Sequence, residues 1–169
     1  MTRVEAAATA TPDAAKCQLA ADVLRSFGVL RLGVTGCSMM PSIWSGDVLE
    51  IRREDPANIS MGDVILFGRS GRLFAHRVVA ISSASNESCW ITQGDGLSVA
   101  DVPVQPAEFL GKVSGIFRGD CRIEPRRSLN FSERVLSTLV RQSVWIPRIM
   151  VRVRAAFANP REQQAQCAS

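Results

Sequence analysis

Ser38 stands in Gly36-Cys37-Ser38-Met39-Met40-Pro41, a turn of small residues closed by a proline, and the chain's single histidine is His76. A serine hydroxyl is a weak nucleophile at neutral pH. It attacks a carbonyl only when an adjacent base takes its proton and a third group orients that base. His76 is the base that the sequence offers. Two carboxylates follow it in Gly94-Asp95-Gly96-Leu97-Ser98-Val99-Ala100-Asp101, and either Asp95 or Asp101 could accept the second ring N–H of an imidazole. The chemistry that these residue types permit is acyl transfer, in which a covalent intermediate forms and is hydrolysed.

Such groups act together only if separate elements deliver them to one place. From Val29 the hydrophobic period is two: Leu30, Leu32 and Val34 alternate with Arg31 and Gly33, predicting a strand that leads to Ser38. Asp47 to Arg53 reads as a second strand and Gly62 to Phe67 as a third. Gly68-Arg69-Ser70-Gly71 predicts a hairpin turn into a strand over Leu73 to Ile81, where alternation puts His76 on one face with Phe74 and Val78. Cys89 to Gln93 and Phe109 to Phe117 complete a set of about six strands without intervening helices, which argues for a mainly β, mostly antiparallel domain.

Helices are expected at both ends. Thr11-Pro12-Asp13 offers a helix start, and Ala14, Leu19, Val23, Leu24 and Phe27 form an apolar stripe that ends at Gly28, suited to packing on the sheet. Beyond Arg118, Asn130 can cap a helix with Glu133 three residues on, Pro147 breaks it, and Arg148 to Phe157 forms a second amphipathic piece. The expected organisation is a flexible lead over 1–12, a catalytic domain over 13–117 and a basic amphipathic helical tail over 118–169.

Composition excludes several classes. With 169 residues, 46% hydrophobic and 21% charged, the chain suits one globular domain. The net charge of +4 is uneven: residues 1–117 carry ten basic and twelve acidic side chains, residues 118–169 ten and four. Five dispersed cysteines (Cys17, Cys37, Cys89, Cys121 and Cys167) and one histidine give no zinc site of familiar spacing, and fit a reducing compartment. No signal-peptide core or membrane-spanning run is seen, which predicts a cytoplasmic or peripheral membrane location.

Five segments in series carry a resemblance. Gly-x-Ser-Met-x-Pro with Gly46-Asp47, then Gly62-Asp63-Val64-Ile65, His76-Arg77-Val78-Val79, Gly94-Asp95 with Asp101, and Gly111-Lys112-Val113 resemble the ordered boxes of type I signal peptidases. The likeness covers about residues 29 to 117. Histidine in the third box is similar to the endoplasmic-reticulum, archaeal and spore-former type, where most bacterial members have lysine. The resemblance implies Ser38 as nucleophile, His76 as general base, Asp101 as orienting acid and Asp95 as a supporting carboxylate. It also implies the twisted β fold that signal peptidases share with self-cleaving SOS repressors.

Three positions depart from the pattern. Gly36-Cys37 replaces the usual Ser-Gly before the nucleophile, as in the repressor branch, so the backbone amides of Cys37 and Ser38 are expected to form the oxyanion hole. Leu97 stands where asparagine is common, and no N-terminal membrane anchor is expected. The Cys37 side chain is expected to be a small buried residue and not a redox switch. Met39 and Met40 suit packing or a pocket wall.

The resulting expectation is a serine endopeptidase that cleaves signal or leader peptides after small residues, with no metal or organic cofactor. Its partners are peptide or protein substrates. The basic tail either packs on the β domain or lies in a membrane interface, and nucleic-acid binding is not expected, since no groove-reading motif accompanies the charge. Two alternatives stand beside catalysis in trans: a silent peptide-binding module of the same fold, and a self-cleaving regulator. The second is disfavoured because the 37 residues before Ser38 hold neither Ala-Gly nor Cys-Gly.

Overall fold

A computed structural model describes residues 12–84 and 87–128. Helix α1 (Pro12–Phe27) precedes seven strands: β1 (Val29–Gly33), β2 (Val48–Arg52), β3 (Val64–Arg69), β4 (Arg72–Ala84), β5 (Glu87–Gln93), β6 (Phe109–Arg118) and β7 (Cys121–Ile123). They form one sheet in the order β1-β2-β6-β3-β4-β5, with β7 on β6, and every pairing is antiparallel. The expectation of a mainly antiparallel β fold with an N-terminal helix is met. Residues 1–11 of the lead expected over 1–12 and the helices expected from Asn130 lie outside the described residues, and Pro12 already belongs to α1.

The hairpin between β3 and β4 follows from its turn. Ser70 and Gly71 have φ of 52° and 75° between the paired Arg69 and Arg72. Positive φ at both central residues is the two-residue geometry whose twist matches the flanking strands. It sets Ile65 opposite His76.

Alternation along β3 builds two cores. Val64 and Leu66 join Leu24 of α1, Met39, Ile43, Leu49, Ile51, Val113 and Ile116 on one face. Ile65 and Phe67 join Ile59, Val78, Trp90 and Val104 on the other. A strand buried on both faces reads as a continuous apolar run, and Val64-Ile65-Leu66-Phe67 is one.

Two expectations need correction. In α1 the buried positions are Ala20 and Leu24, whereas Leu19 is 64% and Phe27 76% exposed. The helix ends as expected, with Gly28 at φ 73° and its amide on the Leu24 carbonyl at 3.0 Å, but it rests on a narrower stripe than the apolar pattern implied. Nor does the chain turn helical at Arg118. It reverses through Gly119, at φ 58°, and returns as β7 along β6.

Candidate active site

The loop from β1 to β2 is tied at its base, where the Val34 amide donates to the Asp47 carbonyl and the Gly46 amide to the Val34 carbonyl, both at 2.8 Å. Within it the turn at Ser38 is held by the Met40 amide on the Cys37 carbonyl at 3.1 Å and the Ile43 amide on the Met39 carbonyl at 3.0 Å. Met39, Met40 and Ile43 are buried beneath it, while Ser38 keeps partial access to solvent. Asp47, fully buried, accepts from the Trp44 amide at 2.8 Å and from the Arg118 guanidinium of β6 at 2.8 Å. The loop is thereby anchored on the sheet.

His76 is 4% exposed and projects from β4 toward this turn, beside the rings of Phe67 and Phe74 at centroid distances of 6.1 and 6.0 Å. Its Nδ1 lies 2.6 Å from Asp101 Oδ2 and its Nε2 lies 3.0 Å from Ser38 Oγ. An ionised carboxylate only accepts hydrogen bonds, so Nδ1 carries the ring proton and Nε2 is left to accept from the Ser38 hydroxyl. This is the geometry of a nucleophile beside a base whose tautomer is fixed by an acid.

The two carboxylates that the sequence offered go to different places. Asp101 reaches His76. Asp95, 4% exposed, forms a fork with Arg77 through contacts of 2.8 and 2.7 Å and accepts from the Ser42 hydroxyl. Since Arg77 follows His76 on β4 and Ser42 closes the Ser38 turn, the Asp95 fork fixes the His76 strand relative to the serine loop. Arg77 also donates to the carbonyls of Gly62 and Arg126 at 2.9 and 2.5 Å.

The Asp101 loop is secured from the β3–β4 turn. Arg69 donates to the carbonyls of Val102 and Pro103 at 2.8 and 2.9 Å and forms two contacts of 2.6 Å with Glu108. Hydrogen bonds from Arg69 hold the Glu108 carboxyl below the usual carboxylate range, and Glu108 in turn raises Arg69.

A cleft of about 550 Å³ opens at Ser38, lined by Leu32, Val34, Ile43, Phe74, His76 and Leu97 among others. β1 ends the sheet order, and residues 32–36 of its end and the following loop border the cleft. Cys37 also lines it and is exposed, contrary to the buried position expected; the turn directs Met39 and Met40 inward and leaves Cys37 on the open side. No hydrogen bond is formed by the Cys37 and Ser38 amides among the described residues.

No family model matches the chain, and no curated protein matches it. Among the described residues, no cluster of three or more His, Cys, Asp or Glu side chains is placed to hold a metal ion, and no helix is long and apolar enough to cross a membrane.

Residues that the sequence reading passed over complete the site. Thr92 donates to Asp101 Oδ2 at 2.7 Å. Ser42 and Arg118 hold the serine loop, and Lys112 pairs with Asp63 at 2.9 Å, joining the Gly62-Asp63 and Gly111-Lys112 segments that were noticed only as a pattern. Arg77 lay within one of those segments, and its charge next to the only histidine was the available signal.

Proposed function

We propose that the protein is a serine endopeptidase of the signal-peptidase-like class that cleaves signal or leader peptides after small residues. The observation that carries this reading is the continuous line of hydrogen bonds from Ser38 Oγ through the His76 ring to Asp101. The antiparallel sheet and the order of the five sequence segments support the same family and its twisted β fold.

In the proposed reaction a peptide lies extended in the cleft beside β1, its backbone pairing with the strand edge. Ser38 Oγ attacks the scissile carbonyl as His76 Nε2 takes the hydroxyl proton, and Asp101 balances the imidazolium that forms. The amides of Cys37 and Ser38 stabilise the oxyanion; loss of one such donor costs about 3 kcal/mol. When the C–N bond breaks, His76 returns the proton to the leaving amine. Water enters, gives a proton to His76 and hydrolyses the acyl-enzyme, and Ser38 regains its hydroxyl. Contact of the basic tail with an anionic membrane surface would bring this cleft to membrane-associated substrates.

The test is mass-spectrometric mapping of cuts in a diverse peptide library, with anionic vesicles present, for wild type and Ser38→Ala. Cuts after small residues that vanish in Ser38→Ala support the reading. Cuts that persist in the variant remove Ser38 as nucleophile, and peptide binding without cuts by wild type identifies a silent binding module.

A further inference from the structure

We propose that Thr92 is a positioning residue whose hydroxyl holds the Asp101 carboxylate against His76. The proposal rests on the reading of Ser38, His76 and Asp101 as a triad, and it assigns the task of keeping that triad assembled to a residue outside it.

Asp101 comes from a loop, and its side chain keeps 20% exposure against 5% for His76. A carboxylate with a path to water turns outward unless donors hold it, because water satisfies its lone pairs at little cost. Two donors meet at one oxygen: Thr92 Oγ1 at 2.7 Å and His76 Nδ1 at 2.6 Å, both on Asp101 Oδ2. Thr92 also accepts from the Asp101 amide through its own carbonyl at 2.8 Å. The residue thus grips Asp101 by both backbone and side chain. It is itself fully buried and lies on β5 opposite Val78 of β4, two residues past His76. The support for the acid therefore comes from the strand next to the one that carries the base.

Other groups near this point are accounted for. Ser38 and the Phe67 and Phe74 rings also lie against His76. The Arg69 charge acts on Asp101 from the β3–β4 turn, and Arg77 is engaged by Asp95. None of these replaces a donor on Oδ2.

Thr92→Val keeps the side-chain shape and puts a methyl group where the hydroxyl donated. The carboxylate then gains by turning to solvent, and the imidazolium loses its partner. Because His76 is the only histidine, its ring resonances give an unambiguous NMR titration that does not depend on any substrate. The midpoint is expected to fall in Thr92→Val and to stay at the wild-type value in Thr92→Ser, which keeps the hydroxyl. An unchanged or raised midpoint in folded Thr92→Val overturns the proposal.

A second measurement needs no variant. In wild type the Thr92 hydroxyl proton should exchange slowly with water and show a nuclear Overhauser contact with the Nδ1 proton of His76; absence of that contact overturns the proposal even if Thr92→Val does not fold. On a peptide that wild type cuts, kcat should fall roughly ten- to a hundredfold in Thr92→Val with KM little changed. Failure of the protease reading would leave the titration intact as a test, and failure of the Thr92 proposal would leave Ser38-dependent cleavage intact.

Discussion

The carbonyl oxygen of Ser38 accepts a hydrogen bond from the amide of Gly96 at 2.8 Å. The Ser38 turn and the loop that carries Asp101 are thereby joined backbone to backbone, and their approach leaves no room at Gly94: a Cβ there would lie 2.6 Å from the same Ser38 oxygen. Gly94→Ala should push the two loops apart. The expected outcome is at least a tenfold loss of cleavage and a loss of stability of about 1–3 kcal/mol, read by thermal denaturation. Wild-type rate and melting temperature together would show that the close approach is dispensable.

Asp95 and Asp101 should fail in different ways. Asp101→Asn removes the proposed orienting acid from a site that can still fold, so kcat should drop by a factor on the order of ten thousand with little change in stability. Asp95→Asn leaves Arg77, 8% exposed, without its counter-charge, and breaking a buried pair costs about 3–5 kcal/mol. Paired rate and denaturant measurements on the two variants decide the assignment, and equal stability losses would contradict it.

Glu108 gives the fold an acid-sensitive clamp. Its carboxyl is held below the ordinary range by Arg69, so its contribution is complete above the unfolded value of about 4.3 and is lost as pH falls through the lower folded value. Glu108→Gln should therefore be less stable than wild type at pH about 7, with the gap closing as pH falls below about 4. Denaturant titrations at both ends of that window measure it. A gap independent of pH would remove the ion pair as its cause.

Exposure of Cys37 on the cleft predicts inhibition by alkylation. Iodoacetamide should abolish cleavage by wild type, whereas Cys37→Ala should stay active within a few-fold and resist the reagent, because the proposed oxyanion hole uses only the backbone amide at this position. Persistent sensitivity in Cys37→Ala would place the inhibiting adduct on another cysteine or on His76, which lines the same cleft.

The strands were legible where burial is one-sided or continuous. Alternation in Leu30, Leu32 and Val34 marked β1, the run Val64 to Phe67 marked β3, and Gly68-Arg69-Ser70-Gly71 marked the turn between β3 and β4, although Gly68 and Arg69 belong to β3 itself. The strand β7 left no signal, since its three residues are all exposed and carry no alternation. Leu19 and Phe27 misled for the converse reason: apolar residues at helical spacing show what a helix can bury, while the sheet beneath selects Ala20 and Leu24. The pairing of Ser38 with His76 was readable from residue type, because one histidine left no choice. Thr92, Ser42 and Arg118 were not, since their partners are separated in sequence by 9, 53 and 71 residues, and a lone threonine or serine has no pattern of its own.

The loop that carries Asp101 is stitched twice at its root, by Thr92 with the Asp101 amide and by the reciprocal bonds of 3.0 and 2.7 Å between Trp90 and Val104. Outside those stitches, residues 97–100 are exposed, and Val99 is 75% so. On its inner side the loop is also held by the Gly96 amide on the Ser38 carbonyl and by the Gln93 side chain on the Leu97 carbonyl at 2.6 Å. Substitutions at Ser98, Val99 and Ala100 would therefore remove none of the hydrogen bonds that hold Asp101, and in the proposed peptidase the rim of the cleft at Leu97 could be altered while Ser38, His76 and Asp101 keep their contacts.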